Sequence, residues 1–279
     1  MWERVESGVD QGPVYAVGAS YALHVELIAR GHEAEVYALD DQRVLRRYRE
    51  RRRVAAEYRL MAYLAEQGFP VPAVYEFTDT DMVMERLVGP TMSEVLVRRP
   101  SDAYRIGREL GGLHARLRAI AAPEWLWPLS AWLRVLGTEI EGEPEPEGPS
   151  AAVPVLGEDP GREAARELAG RRVLHLDFHP ANVIETARGP VVIDWSSAAA
   201  GQSGLDLAKT VVTLEVADLP DALSRMRPDF LRGLVEEAGG DPAPSLRWAL
   251  YMREISGNLT ETEAGRLRAR REEVQKTDS

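Results

Sequence analysis

The segment His175-Leu176-Asp177-Phe178-His179-Pro180-Ala181-Asn182 is followed by Val191-Val192-Ile193-Asp194-Trp195. An Asp stands five residues before an Asn, and a second Asp closes a short apolar run. Phosphoryl transfer asks little covalent chemistry of a protein. It needs Mg²⁺ to bridge the phosphates and a carboxylate to orient the attacking hydroxyl and accept its proton. Mg²⁺ takes hard oxygen ligands, few of them from the protein, with phosphates and waters completing the octahedron. These three side chains would supply the oxygens: Asp177 as the base, Asn182 and Asp194 as the metal ligands. A rival reading uses His175, Asp177 and His179, which alternate and on a strand would face one way. Two imidazoles and a carboxylate suit Zn²⁺ or Fe²⁺ in a metal-dependent hydrolase. Pro180 ends that run at once, and the rival leaves Asn182 and Asp194 unexplained.

Upstream, the chain reads as strands. Tyr21 to Ala29 is rich in β-formers, Glu35 to Leu39 alternates and stops at Asp40-Asp41, and Arg43 to Tyr48 is a third short run. Two tight connections between three strands imply an antiparallel meander. A helix is expected from about Glu50 to Gln67, because Val54, Tyr58, Met61 and Ala65 recur on one face before Gly68. Pro70-Val71-Pro72 forces extended chain, and Val74 to Thr78 and Asp81 to Arg86 read as two more strands. Beyond Leu87-Val88-Gly89-Pro90 the texture turns helical. Ile106 to Ile120 carries an apolar stripe of Leu110, Leu113 and Leu117, and Trp125, Trp127 and Trp132 are expected to pack a helix pair. Val173 to Leu176 and Val191 to Ile193 are short apolar runs, with a turn near Arg188-Gly189-Pro190. Leu219 to Gln275 reads as helical, broken at Gly239-Gly240-Asp241-Pro242. Glu139 to Gly148 is acidic and rich in Pro and Gly, which predicts a solvated loop. The reading is a small β-rich lobe, residues 1–87, joined to a larger helical lobe, residues 88–279.

The spacing of Asp177, Asn182 and Asp194 matches the H-R-D-x-x-x-x-N loop and D-F-G strand end of kinases. HLDFHPAN, VVIDW and GLDLA together resemble the aminoglycoside phosphotransferase and choline kinase-like family, over roughly Gly31 to Lys209. The resemblance implies a bilobal protein-kinase-like α+β fold with a five-stranded antiparallel N-lobe, one N-lobe helix and a mainly helical C-lobe. It implies ATP or GTP as phosphoryl donor and Mg²⁺ as cofactor. By the same resemblance Arg46, in Val44-Leu45-Arg46, takes the place of the basic residue that holds the α/β-phosphates, and Glu57 that of its ion-pair partner. Backbone at Glu85 and Leu87 would face the adenine. Leu113-His114 fits the family's L-H helix, and Asp206 resembles the buried Asp that braces the catalytic loop. The chain departs from the pattern in three places. The phosphate loop keeps Gly31 without G-x-G-x-x-G, Arg46 fills the Lys slot among Arg47, Arg49, Arg51, Arg52 and Arg53, and Trp195-Ser196 replaces Phe-Gly. A non-catalytic kinase-like binding module would share this fold without turnover.

Composition narrows the substrate. The chain has 279 residues and a formal net charge of −11. Such a charge repels nucleic acid and anionic lipid. It carries no cysteine, which excludes disulfides, thiolate metal sites and thiol nucleophiles and suits a cytoplasmic setting. No signal-peptide layout opens the sequence and no apolar run approaches a membrane span. Only Trp195 to Leu205 separates Asp194 from Asp206, leaving no room for an activation loop and peptide platform, so a protein substrate is not expected. The acceptor is expected to be a small hydroxylated molecule. The net charge and the acidic run favour a cation, such as an aminoglycoside-like compound.

Overall fold

The computed structural model describes residues 3–4, 14–15, 22–23, 26–31, 34–49, 54–129, 169–256 and 259–277. The chain divides into two compact units, Met1–Met92 with Ala181–Ser196, and Ser93–Pro180 with Ser197–Ser279.

The first unit is built on an antiparallel sheet. Its strands are β1 (Glu3–Arg4), β4 (Glu26–Arg30), β5 (Ala34–Ala38), β6 (Arg43–Tyr48), β7 (Val74–Phe77) and β8 (Asp81–Glu85), in the order β1-β4-β5-β6-β8-β7. The five expected strands are there, and the two-residue β1 adds a sixth at one edge. The run from Tyr21 to Ala29 is not one strand. Ala22–Leu23 (β3) pairs with Val14–Tyr15 (β2), while Glu26–Arg30 joins the main sheet. Strand periodicity divides the two faces of β6. Leu45 lies between its cross-strand partners Tyr37 and Val83, and with Leu27 these form a buried cluster on one face. Val44, Arg46 and Tyr48 alternate with Leu45 and are also buried. Helix α1 (Val54–Glu66) buries Val54, Glu57, Leu60, Met61 and Leu64, so a carboxylate sits in its apolar stripe.

A hairpin from late in the chain completes this unit. Val183–Thr186 (β10) pairs with Gly189–Val192 (β11) through the register Val183↔Val192. It is tied down by the Val192 N–H to the Pro70 carbonyl and the Glu185 N–H to the Pro90 carbonyl, both at 2.9 Å. Gly89, at φ +157°, allows the approach: a Cβ there would lie 1.8 Å from the Glu185 carbonyl oxygen.

The second unit is mainly helical. Beyond α2 (Met92–Arg98), its elements are α3 (Ala103–Ala119), α4 (Gly204–Val216), α5 (Asp221–Ala238), α6 (Leu246–Ile255) and α7 (Glu261–Thr277). A two-stranded ribbon joins β9 (Arg172–Leu174) to β12 (Ala199–Gly201). Helices α3 and α5 pack with Gly107, Gly111 and Gly233 at their contact, where a Cβ on Gly107 would stand 2.1 Å from the Phe230 carbonyl oxygen. The core gathers Leu174, Leu176, Leu205, Ala208, Val212, Trp248, Ala249 and Met252. The C-terminal helical stretch breaks at the expected 239–242, and a second time before Thr260. There Thr260 and Glu263 form a reciprocal capping box: the Glu263 N–H meets Thr260 Oγ1 at 3.2 Å and the Thr260 N–H meets Glu263 Oε2 at 3.1 Å. Among the described residues no helix is long and apolar enough to cross a membrane.

Candidate active site

In the first unit, Arg46 is 4% exposed and donates from one guanidinium nitrogen to Glu57 Oε1 at 2.8 Å and from the other to Asp194 Oδ1 at 2.5 Å. The strand alternation that turns Leu45 into the apolar cluster turns Arg46 toward α1. Tyr48, two residues along the same face, donates its hydroxyl to Glu57 Oε2 at 2.5 Å, and the Trp195 N–H adds a bond to Glu57 Oε1 at 3.2 Å. Burial works against the Arg46 charge, but the carboxylates of Glu57 and Asp194 outweigh it and raise its pKa further. Burial also raises the Glu57 carboxyl. Arg46 opposes that, Asp194 adds to it, Tyr48 and the Trp195 amide oppose it, and the net direction is upward. The other described arginines of the run behave differently. Arg47 pairs with Asp81 on the sheet, with N···O distances of 2.9 and 2.8 Å, and Arg49 is half exposed.

Asp194 sits in the left-handed region at φ 66°, a conformation costly for a residue with a Cβ. Trp195 anchors it: the indole is 1% exposed, donates to the Val192 carbonyl at 3.2 Å and meets the Phe69 ring edge-on at 5.7 Å. Ser196 Oγ donates to Asp194 Oδ1 at 3.1 Å. Asn182 is buried, and its carbonyl accepts the Ile193 N–H at 3.0 Å. The register Val183↔Val192 therefore brings Asn182 and Asp194 to the same end of the β10–β11 hairpin. A carboxylate and an amide, both hard oxygen donors, at one end of a rigid ribbon fit Mg²⁺.

In the second unit, Leu176 is, among the described residues, the other non-glycine residue with positive φ, at 63°. Asp206 holds the backbone around it, accepting the His175 N–H at 3.0 Å and the Leu176 N–H at 2.7 Å. Asp177 follows, with a side chain 44% exposed and His179 Nε2 at 3.5 Å from its carboxylate. Burial pushes its carboxyl up, but the hydrogen bond and charge of His179, with the charges of Lys209 and His175, outweigh this and hold it below the usual carboxylate range. His175 is fully buried, its Nδ1 accepts the Asp177 N–H at 3.2 Å, and its ring stacks on Phe178 at 5.1 Å. It is a brace. The chain does not run as a strand through His179, so the alternation behind the hydrolase reading has no structural counterpart. Among the described residues, no three His, Asp or Glu side chains converge to hold a metal.

The remaining sequence-predicted positions lie in the first unit. The Gly31 N–H bonds to the Ala34 carbonyl at 2.8 Å where β4 ends. The Glu85 N–H bonds to the Ala73 carbonyl at 2.8 Å, but the Ala73 N–H returns to the Glu85 carboxylate at 3.0 Å instead of to the Glu85 carbonyl. Arg188 holds that carboxylate at 2.7 Å. Glu85 is the last residue of β8 and pairs with Arg43 of β6, and Leu87 follows just beyond the strand. Tyr48, which binds Glu57, and Thr210, whose hydroxyl donates to the Phe178 carbonyl at 2.6 Å, are additions that the sequence reading lacks. The signal for Tyr48 was its two-residue offset from Arg46. Glu50, Arg51, Arg52, Arg53, Trp132 and the acidic run 139–148 lie outside the described residues.

The sequence pattern of the phosphotransferase enzyme family matches residues 24–244. No curated protein matches the chain in sequence. Solved structures share its fold. The streptomycin–ATP ternary complex of APH(2'')-IIa matches at 14% identity over 84% of this chain and 85% of that one, with a TM-score of 0.54. A choline/ethanolamine kinase family protein from Mesorhizobium loti matches at 17% over 92% and 89%, with a TM-score of 0.53. A thermostable mutant of aminoglycoside phosphotransferase APH(4)-Ia, in a ternary complex with AMP-PNP and hygromycin B, matches at 15% over 91% and 94%, with a TM-score of 0.54. The protein-kinase-like fold expected from the sequence is the fold these structures share. With the match spanning the strand of Arg46, the loop of Asp177 and the helix of Asp206, the chain belongs to the phosphotransferase enzyme family.

Proposed function

We propose that the chain transfers the γ-phosphoryl group of ATP or GTP to a hydroxyl of a small molecule. The observation that carries this reading is the Arg46 fork, a buried guanidinium bound at once to Glu57 and to a left-handed Asp194. A guanidinium so fixed presents a rigid cation for phosphate oxygens. The Glu85 carbonyl and Leu87 N–H would offer an acceptor and a donor to a purine edge, with Gly31 in the loop over the phosphates. Asn182 and Asp194 would hold Mg²⁺, which when bound neutralises phosphate charge. Asp177, kept ionised by its surroundings, would align the acceptor hydroxyl and take its proton. The acceptor oxygen then bonds to the γ-phosphorus as the bond to the leaving nucleoside diphosphate breaks. Relatives by fold are solved with streptomycin or hygromycin B and with ATP or AMP-PNP, which supports a small hydroxylated acceptor. The short interval from Asp194 to Asp206 argues against a protein acceptor. The net charge of −11 argues against nucleic acid or membrane and favours a cationic acceptor.

The test is diphosphate release from MgATP and MgGTP across a panel of hydroxylated small molecules. Asp177→Ala is expected to lower turnover by about 10²–10⁴-fold while nucleotide affinity stays near the parent's. Undiminished turnover in that variant would remove the central assignment.

A further inference from the structure

Helix α4 grips the loop of Asp177 with three side chains. Asp206, Lys209 and Thr210 stand at i, i+3 and i+4, hence on one helix face. Asp206 takes the His175 and Leu176 N–H groups, Lys209 Nζ donates to the Leu176 carbonyl, and Thr210 Oγ1 donates to the Phe178 carbonyl at 2.6 Å. Leu176, the residue in the left-handed conformation, is therefore held at both its amide and its carbonyl by opposite charges one helical turn apart. Its side chain is buried in the same core as Leu205 and Ala208. Nothing in residues 1–208 is a lysine, and the chain carries 34 Lys and Arg of which two are lysine. A planar guanidinium is a wide fork, whereas an ammonium is a compact charge on a flexible stem. A single carbonyl beside two carboxylates suits the ammonium.

We infer that Lys209 is a positioning residue for Asp177, fixing the Leu176 carbonyl and setting a positive charge beside the Asp177 carboxylate. The inference rests on the reading of Asp177 as the group that orients the acceptor hydroxyl. The groups that face Asp177 are His179 and His175 from its own loop and Lys209 from α4. Those that face Lys209 are Asp177, Asp206 and, from α6, Arg253. Burial lowers the Lys209 pKa, while Asp177 and Asp206 favour its charged form. Without the ammonium, Asp177 loses a favourable charge and Leu176 loses the bond that steadies its strained conformation. The carboxylate then protonates at higher pH and sits less accurately.

Two measurements on the full chain test this. The first is phosphate release from MgATP with water as acceptor. Lys209→Met should lower kcat by about 10²-fold, the scale of a small misplacement of a reacting group, with the nucleotide KM unchanged. The second is a carbon-13 NMR titration of the Asp177 carboxyl, assigned with Asp177→Asn. Its midpoint should rise in Lys209→Met and stay at the parent value in Lys209→Arg, which keeps the charge. An unchanged midpoint and kcat in Lys209→Met would overturn the inference. If Lys209→Met does not fold, Lys209→Gln, which keeps a donor for the Leu176 carbonyl and removes the charge, decides: a raised midpoint supports the inference and a parental one refutes it. An Asp177→Ala variant assayed beside these separates the two ideas. If it retains full phosphate release, the reading of Asp177 fails, whatever Lys209 does.

Discussion

Arg46 is one of six arginines between positions 46 and 53, and burial is what separates it from Arg47 and Arg49. A buried guanidinium between two carboxylates makes removal of one partner costly. Glu57→Ala should destabilise the fold by about 3–5 kcal/mol in urea unfolding, because it leaves the Arg46 charge with less compensation. Arg46→Ala should raise the nucleotide KM, and the double variant should fall short of the summed single effects by about 0.5–3 kcal/mol. A strictly additive cycle would mean that the pair does not act together. His114 makes a separate prediction. It is buried beside Thr210 and Phe178, and burial lowers its pKa from 6.5 to about 4, against the Asp206 charge. Between those pH values the unfolded chain binds the extra proton. The stability contributed by neutral His114 is thus complete above pH 6.5 and is lost as pH falls toward 4. The loss should reach a few kcal/mol, and His114→Gln should flatten the fall of Tm across that window relative to the parent.

Helix pairing in the second unit depends on absent side chains. On α3, Gly107 and Gly111 face α5, whose Gly233 would place a Cβ 2.3 Å from the Tyr104 carbonyl oxygen. These contacts are with backbone, which cannot swing aside as a side chain would. Gly107→Ala should therefore destabilise the protein despite alanine's better helix propensity, by about 1–3 kcal/mol of overpacking in chemical denaturation. An unchanged midpoint would show that the two helices can separate at little cost. The start of α7 is governed more locally. Thr260→Ala removes one half of the capping box and should cost about 1 kcal/mol. That box lies within four contiguous residues, whereas the glycines on α3 gave no sign of which helix they would meet.

Charge acts on the protein as one body. A net charge of −11 concentrates cations near the surface, and salt screens that effect over about 10 Å at 0.1 M. If the acceptor is cationic, its kcat/KM should fall as ionic strength rises, while that of a neutral hydroxylated acceptor should hold steady. Equal salt dependence for both would remove the preference for a cation.

Patterns written in contiguous residues were legible from the chain. Asp177 and Asn182 stand five residues apart, Asp194 ends the next apolar run, and alternation over Glu35 to Leu39 marked a strand that the structure places at Ala34–Ala38. The broad division into a β-rich part and a helical part followed from the same periodicities, since each reflects contacts within a few residues. The family resemblance picks Arg46 and Glu57, but only folding shows the second bond of Arg46 to Asp194, 148 positions away, because no local pattern connects them. Only folding could carry the hairpin 183–192 back to Pro70 and Pro90, or set Lys209 and Thr210 against the carbonyls of Leu176 and Phe178. Periodicity tells which face of an element is apolar. It does not tell which distant backbone group that face will meet, because that depends on how close two elements can pack and in what register.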